Sequence, residues 1–415
     1  MSRILFIAGE ASGDAHASEV AKALKQQRPD MELVGIGGQK MKEAGVEILF
    51  DAAEIAVVGL VEVIKHYPAL KRAWNKAVDQ LKNHRPDLLI LVDYPGFNLR
   101  LAKVAKQMGI KVLYYISPQI WAWHQSRIKK IKQTVDHMAV IFPFEVSFYS
   151  KADIPVSYVG SPLAESVIPI GKQAAKHKII PSPLVGESQG EGKIIGLLPG
   201  SRKSELSRLM PVLVECAKAL KKRYPHAQFL LPIASTLKPE DIRPYISKIS
   251  PNPSFSKRGS SSLCKNEALS NSSLCKREAG RDLLDIQIIQ NNSHAAIEAC
   301  DLAICSSGTV TLEAAILGTP MVLIYKTAPI TYWLAKRLIK IKHIGLCNIL
   351  AGKTIVPELI QNDANVNNIV SHACQILEDK AYRDQMLGNL AWVRAQLGEQ
   401  KTGKEVAELA LKLIN

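Results

Sequence analysis

Arg3-Ile4-Leu5-Phe6-Ile7-Ala8, running into Gly9-Glu10-Ala11-Ser12-Gly13-Asp14, decides the fold. The first six residues show no polar alternation after Arg3, which is the pattern of a strand buried on both faces. The glycine-containing stretch then breaks the run, and a helical period follows to about Arg28. Similar units recur along the chain. Leu88-Leu89-Ile90-Leu91-Val92 ends at Asp93-Tyr94-Pro95-Gly96, Lys111 to Ile116 ends at Ser117-Pro118, and Met138 to Phe142 ends at Pro143. A second series starts with Ile194-Ile195-Gly196-Leu197-Leu198 and continues through 228–233, 286–289, 302–305 and 321–325. Apolar strands alternating with amphipathic helices predict parallel sheets covered on both sides, an α/β chain of two Rossmann-like domains. The Pro- and Gly-rich stretch near 165–192 reads as their joint. The expected division is 1–165, 166–385 and a C-terminal helical segment 386–415.

At 415 residues, two domains are also what core size predicts. Two stretches interrupt the pattern. Residues 251–282 are rich in Ser, Asn, Lys and Arg, and Ser261-Ser262-Leu263-Cys264-Lys265 recurs as Ser272-Ser273-Leu274-Cys275-Lys276. They read as an exposed, disordered insertion, and 182–192 reads as a shorter one. No apolar run reaches the roughly 20 residues of a membrane span, and Ile4–Ala8 is too short for a signal peptide. Seven cysteines with no C-x-x-C spacing argue against a disulfide scaffold or a Cys-type zinc site, so a cytoplasmic setting is expected.

The net charge is +15, from 53 Lys and Arg against 38 Asp and Glu. Fourteen basic residues fall in two stretches that contain no acid. Eight lie between Asp93 and Asp136 (Arg100, Lys103, Lys106, Lys111, Arg127, Lys129, Lys130, Lys132), and six lie between Glu313 and Glu358. The rest of the chain is nearly neutral, so the charge points to anionic partners at two places: phosphorylated molecules or an anionic membrane surface.

Strand-end loops are where a parallel sheet keeps its site. Glu10 faces outward from the first such loop. It would repel a pyrophosphate, which disfavours a dinucleotide fingerprint, while Gly13 allows the turn and Asp14 reads as a helix cap. Asp93 follows five apolar residues, a position for a general base or for a loop hydrogen bond. Trp121 and Trp123 flank one alanine in Ser117-Pro118-Gln119-Ile120-Trp121-Ala122-Trp123, near Arg127. One of the two is expected in the core, and the pair suits a lipid-bearing ligand. Pro199-Gly200-Ser201-Arg202 opens a helix with backbone N–H groups and an arginine, which suits phosphate. Ser307-Gly308-Thr309 does the same, with Glu313 one turn further on as a ribose or capping partner. There is no D-x-D, H-E-x-x-H or G-x-S-x-G, so no dedicated metal site or serine nucleophile is expected.

Taken in order, these motifs, together with Val92-Asp93-Tyr94-Pro95-Gly96-Phe97-Asn98, Tyr332-Trp333-Leu334-Ala335-Lys336-Arg337-Leu338 and Asn348-Ile349-Leu350-Ala351-Gly352, closely resemble the lipid A disaccharide synthase family. The resemblance implies a GT-B fold, two Rossmann-like domains facing across a cleft, with C-terminal helices packed back on the first domain or exchanged in a homodimer. It implies an inverting glycosyltransferase that needs neither metal nor cofactor. That enzyme joins UDP-2,3-diacylglucosamine to 2,3-diacylglucosamine 1-phosphate (lipid X), releasing UDP and a β-1,6-linked disaccharide 1-phosphate for lipopolysaccharide, at the inner face of the cytoplasmic membrane. By position, the resemblance makes Asp93 and Glu10 the carboxylates of the reaction and Arg202 the partner of the UDP phosphates. Gly200, Ser201, Ser307, Gly308, Thr309, Glu313 and Asn348 then line the UDP site, and Gly13, Trp121, Trp123 and Arg127 the acceptor side. A UDP-sugar 2-epimerase shares the two-domain architecture but leaves the tryptophans and the basic Tyr332–Lys342 segment unexplained. Nucleic acid is not an expected partner, since no reader motif accompanies the charge. Val57 to Ile64, followed by Lys65, His66, Lys71 and Arg72, is either a lipid-docking patch or a core helix.

Overall fold

A computed structural model describes residues 2–55, 67–123, 125–174, 192–234, 237–246, 255–256, 284, 286–290, 292–338 and 341–415. The apolar run 57–64 and nearly all of the two expected insertions lie outside the described residues.

The first series is β1 (Arg3–Ala8), α1 (Ala11–Gln27), β2 (Glu32–Gly37), α2 (Gln39–Glu43), β3 (Glu47–Asp51), α3 (Tyr67–Asn83), β4 (Leu88–Val92), α4 (Pro95–Gln107), β5 (Lys111–Tyr115), α5 (Ile128–Thr134), β6 (His137–Val140), α6 (Pro143–Ser150), β7 (Val156–Tyr158) and α7 (Pro162–Ala174). The second is β8 (Ile194–Leu198), α8 (Lys203–Arg223), β9 (Gln228–Pro232), α9 (Pro239–Ile246), β10 (Phe255–Ser256), β11 (Ile286–Ile289), α10 (Ser293–Glu298), β12 (Leu302–Ser306), α11 (Thr309–Leu317), β13 (Met321–Tyr325), α12 (Pro329–Leu338), α13 (Leu346–Ala351), β14 (Glu358–Ile360), α14 (Val366–Glu378), α15 (Lys380–Leu397) and α16 (Thr402–Ile414). Each series builds a seven-stranded parallel sheet, ordered β3-β2-β1-β4-β5-β6-β7 and β10-β11-β9-β8-β12-β13-β14. The edge strand β10 falls inside the stretch expected to be inserted, and it pairs with β11 through Phe255↔Ile288.

Strand order reverses between β1 and β4 in one sheet and between β8 and β12 in the other. Ligands of doubly wound sheets bind outside such switch points. Register brings the motifs together there. Ala8 pairs with Val92 and Val92 with Tyr115, so Gly9, Asp93 and Ile116 leave adjacent strand ends. In the second sheet Cys305 pairs with Leu198, which sets the 199–202 and 306–309 loops side by side.

The period of two along each strand divides the first core in two. Leu5, Ile7, Leu89, Leu91 and Tyr114 pack on one face with α4 residues Leu101 and Ala105. Ile4, Phe6, Leu88, Ile90 and Tyr115 pack on the other, covered by α1 (Ala17, Val20, Leu24) and by Val406, Ala407 and Ala410 of α16. The C-terminal helix thus supplies part of the first sheet's cover. Thr402 fastens its start, donating from backbone N–H and Oγ1 to Glu165 Oε2 at 3.1 and 2.7 Å. The chain accordingly divides into a first unit of Met1–Ile168, Trp333–Lys342 and Arg394–Asn415 and a second of Pro169–Tyr332 and His343–Val393. These boundaries fall three and eight residues beyond the expected 165 and 385, inside α7 and α15, because a continuous helix carries no composition break to read. Among the described residues no helix is long and apolar enough to cross a membrane. The described cysteines Cys216, Cys300, Cys305, Cys347 and Cys374 are buried and unpaired.

Candidate functional site

In the first unit, the β4–α4 loop holds a carboxylate in strained backbone. Asp93 and Tyr94 both take positive φ (+47° and +46°), as does Ile116 (+61°) at the end of β5. Non-glycine residues, and β-branched ones above all, avoid this region, and such strain concentrates at functional sites. Hydrogen bonds hold the loop in place. The Asp93 carbonyl accepts from Asn98 Nδ2 at 2.7 Å and from Tyr114 Oη at 2.6 Å, and Asp93 N–H donates to the Tyr115 carbonyl at 3.0 Å. The carboxyl itself is half-buried. Burial pushes its pKa up, repulsion from the exposed Glu10 adds to this, and the result is about 6. A carboxylate with a pKa near the working pH is suited to accepting a proton from a hydroxyl.

The neighbouring β1–α1 loop shows a different division of labour from the expected one. Gly9 is required because a Cβ there would run into the Tyr94 ring. Gly13 is no turn residue; it is buried inside α1. Asp14 is a cap, but of α2 and not of its own helix. Its carboxylate accepts from the backbone N–H groups of Gly38, Lys40 and Met41 at 2.7, 3.1 and 3.1 Å. A cap acting across some 25 residues leaves no local sequence signal.

The two tryptophans separate. Trp121 is buried and Trp123 is 47% exposed. Trp121 packs edge-on against Phe144 at 4.9 Å and donates its indole N–H to Glu145 Oε1 at 3.1 Å. Trp123 is the one of the two that is exposed. Glu145, at the start of α6, escaped the sequence reading. It also accepts from Ser117 Oγ and from Phe142 N–H at 3.1 Å, and burial raises its pKa to about 7 against these hydrogen bonds. The signal was present as a proline at the helix start with a glutamate two residues further on, the glutamate half of a capping box. Glu145→Ala should cost about 2 kcal/mol by stranding three donors, and the Trp121 indole N–H resonance should move in a ¹⁵N-Trp spectrum. An unmoved resonance would contradict the clamp.

In the second unit, Gly200 (φ +105°) turns the chain so that Glu205 reaches back. The Glu205 Oε2 accepts from Ser201 and Arg202 N–H at 2.9 and 3.3 Å, and its Oε1 lies 3.7 Å from the Arg202 guanidinium. The Ser201 and Arg202 amides expected to cradle phosphate are therefore occupied by the Glu205 carboxylate. What remains for an anion is the Arg202 side chain, 71% exposed. At the adjacent strand end, Gly308 and Thr309 are exposed at the start of α11, where helix amides and dipole favour an anion. Ser307 Oγ donates to the Ile344 carbonyl at 3.2 Å. Glu313 caps nothing; it pairs with His294 Nε2 at 3.3 Å, a partner the sequence reading missed because it comes from a separate helix.

Asn348 differs most from expectation. It is wholly buried, and its side chain is saturated by protein. Nδ2 donates to the Val356 carbonyl (2.9 Å) and to Glu358 Oε1 (2.7 Å), while Oδ1 accepts from Ile355 and Val356 N–H (2.8 and 3.0 Å). Glu358 in turn accepts from Ile344 and Gly345 N–H at 2.9 and 3.0 Å. The Asn348 side chain thus spends its hydrogen bonds inside the protein. It holds the 344–348 turn, which receives Ser307.

Two doubly wound parallel domains in one chain, each with polar strand-end loops at its switch point, define the GT-B class. Solved structures of that build agree on the fold. UDP-GlcNAc 2-epimerase from Neisseria meningitidis, bound to UDP-GlcNAc, matches with TM-score 0.58 at 13% identity over 99% of this chain and 100% of its own. The glycotransferase of kitacinnamycin matches at 0.56 and 12% over 100% and 99%. Sequence narrows the class. The family described as lipid-A-disaccharide synthetase matches residues 4–255 and 265–411, and the chain belongs to that family. It is 44% identical to lipid-A-disaccharide synthase of Trichlorobacter lovleyi over 412 residues (99% of this chain, 97% of the relative) and 42% identical to that of Geobacter sulfurreducens over 413 (99% and 97%).

Proposed function

We propose that the protein is a glycosyltransferase that moves 2,3-diacylglucosamine from UDP-2,3-diacylglucosamine to the 6-hydroxyl of lipid X, forming the β-1,6-linked lipid A disaccharide 1-phosphate and UDP. The similarity to lipid-A-disaccharide synthases across 99% of the chain carries this reading. Asp93 gives it a mechanism. Its carboxylate takes the proton of the acceptor hydroxyl as the oxygen attacks the anomeric carbon from the face opposite UDP, so the configuration inverts. Arg202 offsets the charge that develops on the departing diphosphate. Glu313, oriented by His294, receives the ribose hydroxyls. Glu10 keeps the Asp93 carboxyl basic enough to act. Trp123 meets an acyl chain at the inner face of the cytoplasmic membrane, which the protein visits peripherally, and two chains pair as a homodimer through their C-terminal segments.

The test is mass spectrometry of the product formed from both acylated substrates, with UDP release measured alongside. UDP should appear only when donor and acceptor are both present; conversion of a UDP-sugar alone would point to an epimerase and overturn the reading. His294→Ala should raise the donor KM about tenfold, the value of one charge-assisted hydrogen bond, and leave the acceptor KM within twofold. Steady-state kinetics in each substrate separates the two.

A further inference from the structure

Seven of the eight cations in the acid-free stretch after Asp93, all but the exposed Lys129, fall into two kinds. Lys106 pairs with Asp136, Lys132 pairs with Asp153 at 3.0 Å, and Lys111 donates to the Leu413 carbonyl at 2.7 Å. These bases serve the fold. Arg100 and Lys103 stand one turn apart on α4, and Arg127 and Lys130 one turn apart at the start of α5. The two helices pack on each other. Partial burial lowers the Lys130 pKa, and Arg100, Lys103 and Arg127 lie close enough to add to the shift by repulsion. Four like charges gathered on two packed helices cost stability, and a protein keeps such a cluster where an anion completes it.

The cluster has a fixed position relative to Asp93. The Tyr114 hydroxyl donates to the Asp93 carbonyl at 2.6 Å, and the same hydroxyl feels both the Asp93 carboxylate and the Arg127 guanidinium. Asp93 is thus in contact with the buried Tyr114, and Arg127 lies within electrostatic reach of the same hydroxyl. Arg127 is half-buried, and Trp123 is exposed a few residues before it.

We propose that Arg100, Lys103, Arg127 and Lys130 form a binding site for the phosphate monoester of an amphiphilic acceptor whose reacting hydroxyl lies at Asp93. The inference rests on the transfer reaction proposed above and adds its acceptor specificity. A hexose that carries its phosphate on the carbon remote from the attacking hydroxyl would span from Asp93 to Arg127, with Trp123 against its acyl chains. Arg127 and Lys130 supply charge-assisted hydrogen bonds, and Arg100 and Lys103 add long-range attraction.

The experiment pairs a change in the protein with a change in the ligand. The full-length chain and an Arg127→Gln/Lys130→Gln variant are assayed with 2,3-diacylglucosamine 1-phosphate and with 2,3-diacylglucosamine lacking the phosphate, in neutral mixed micelles. The preference in kcat/KM for the phosphorylated acceptor should fall about 100-fold in the variant, the effect of two charge-assisted contacts. Calorimetric titration of the same two amphiphiles should show the same loss of discrimination in Kd, and this arm needs no turnover. If the unsubstituted protein discriminates by Kd yet releases no UDP, the transfer reading fails and the phosphate site stands. Equal losses on both acceptors would overturn the site. So would a loss that follows the anionic lipid content of the micelle and not the acceptor's phosphate, because the cluster would then belong to a membrane surface.

Discussion

Replacing Asp93 with Ala or Asn should lower kcat about a thousandfold while both KM values stay within about threefold, as for loss of a general base. The expectation follows from how the residue is held. The backbone of Asp93 is anchored by Asn98, Tyr114 and Tyr115, so a shorter or neutral side chain leaves the loop where it is. Only the proton acceptor is lost. In the unsubstituted enzyme kcat/KM should fall as pH drops through about 6, where burial and Glu10 place this ionisation; in Asp93→Asn that inflection should vanish. The same shift has an opposite consequence for stability. The unfolded carboxyl ionises near 4 and the folded one near 6, so folding is favoured below 4 and loses that contribution as pH rises to 6. Asp93→Asn, which cannot ionise, should therefore be more stable than the parent at pH 7–8, on the order of 1–3 kcal/mol, with the gain shrinking below pH 5. Denaturant melts at pH 4.5 and 7.5 measure it. An Asp93→Asn protein that keeps normal kcat would remove the residue from the base role; equal stability at both pH values would remove the buried, repelled carboxylate.

Asn348→Ala should cost about 3–5 kcal/mol, because it strands the Ile355 and Val356 N–H groups and deprives the buried Glu358 of a donor. In a domain of this size that is a fall in Tm of about 10 °C for the second unit. Asn348→Asp keeps the acceptor for the two amides but points a second carboxylate oxygen at Glu358 and at the Val356 carbonyl, so it should rescue little. The donor KM should rise only as far as the 344–348 turn loosens its hold on Ser307. If Asn348→Ala left Tm unchanged and raised the donor KM alone, the side chain would have to touch the nucleotide after all.

The contrast between Asp93 and Asn348 shows where sequence reading works. Both sit in ordered motifs, and the resemblance of those motifs named the family. The unbroken apolar strands also announced two parallel sheets, because continuous burial and helical periodicity are local properties. Asp93 was legible for the same reason: five apolar residues followed by a carboxylate, Pro and Gly can only be a strand end. The role of Asn348 was not legible. Its four partners lie seven to ten residues further along, and nothing in Asn348-Ile349-Leu350-Ala351-Gly352 says that the amide turns inward. Asp14 capping a different helix, His294 against Glu313, and Trp121 buried on Glu145 are of the same kind. Each pairing joins separate elements and leaves no mark in the residues immediately beside it.

The sequence by itself determined the class of fold, the family, the strand-end loops that hold the candidate residues, and the two acid-free stretches that hold most of the positive charge. The family follows from the resemblance of the ordered motifs; the fold class and the charge distribution follow from period and composition, which folding does not alter. The tertiary structure alone decided which polar groups are spent on the fold and which are left for a ligand. Hydrogen-bond capacity is finite, and partners distant in the chain use it up: Glu205 occupies the amides beside Arg202, Asp136 and Asp153 neutralise Lys106 and Lys132, and Asn348 has nothing left to offer. Arg202 keeps a largely exposed side chain beside Glu205, and Asp93 and Arg127 stay half-buried.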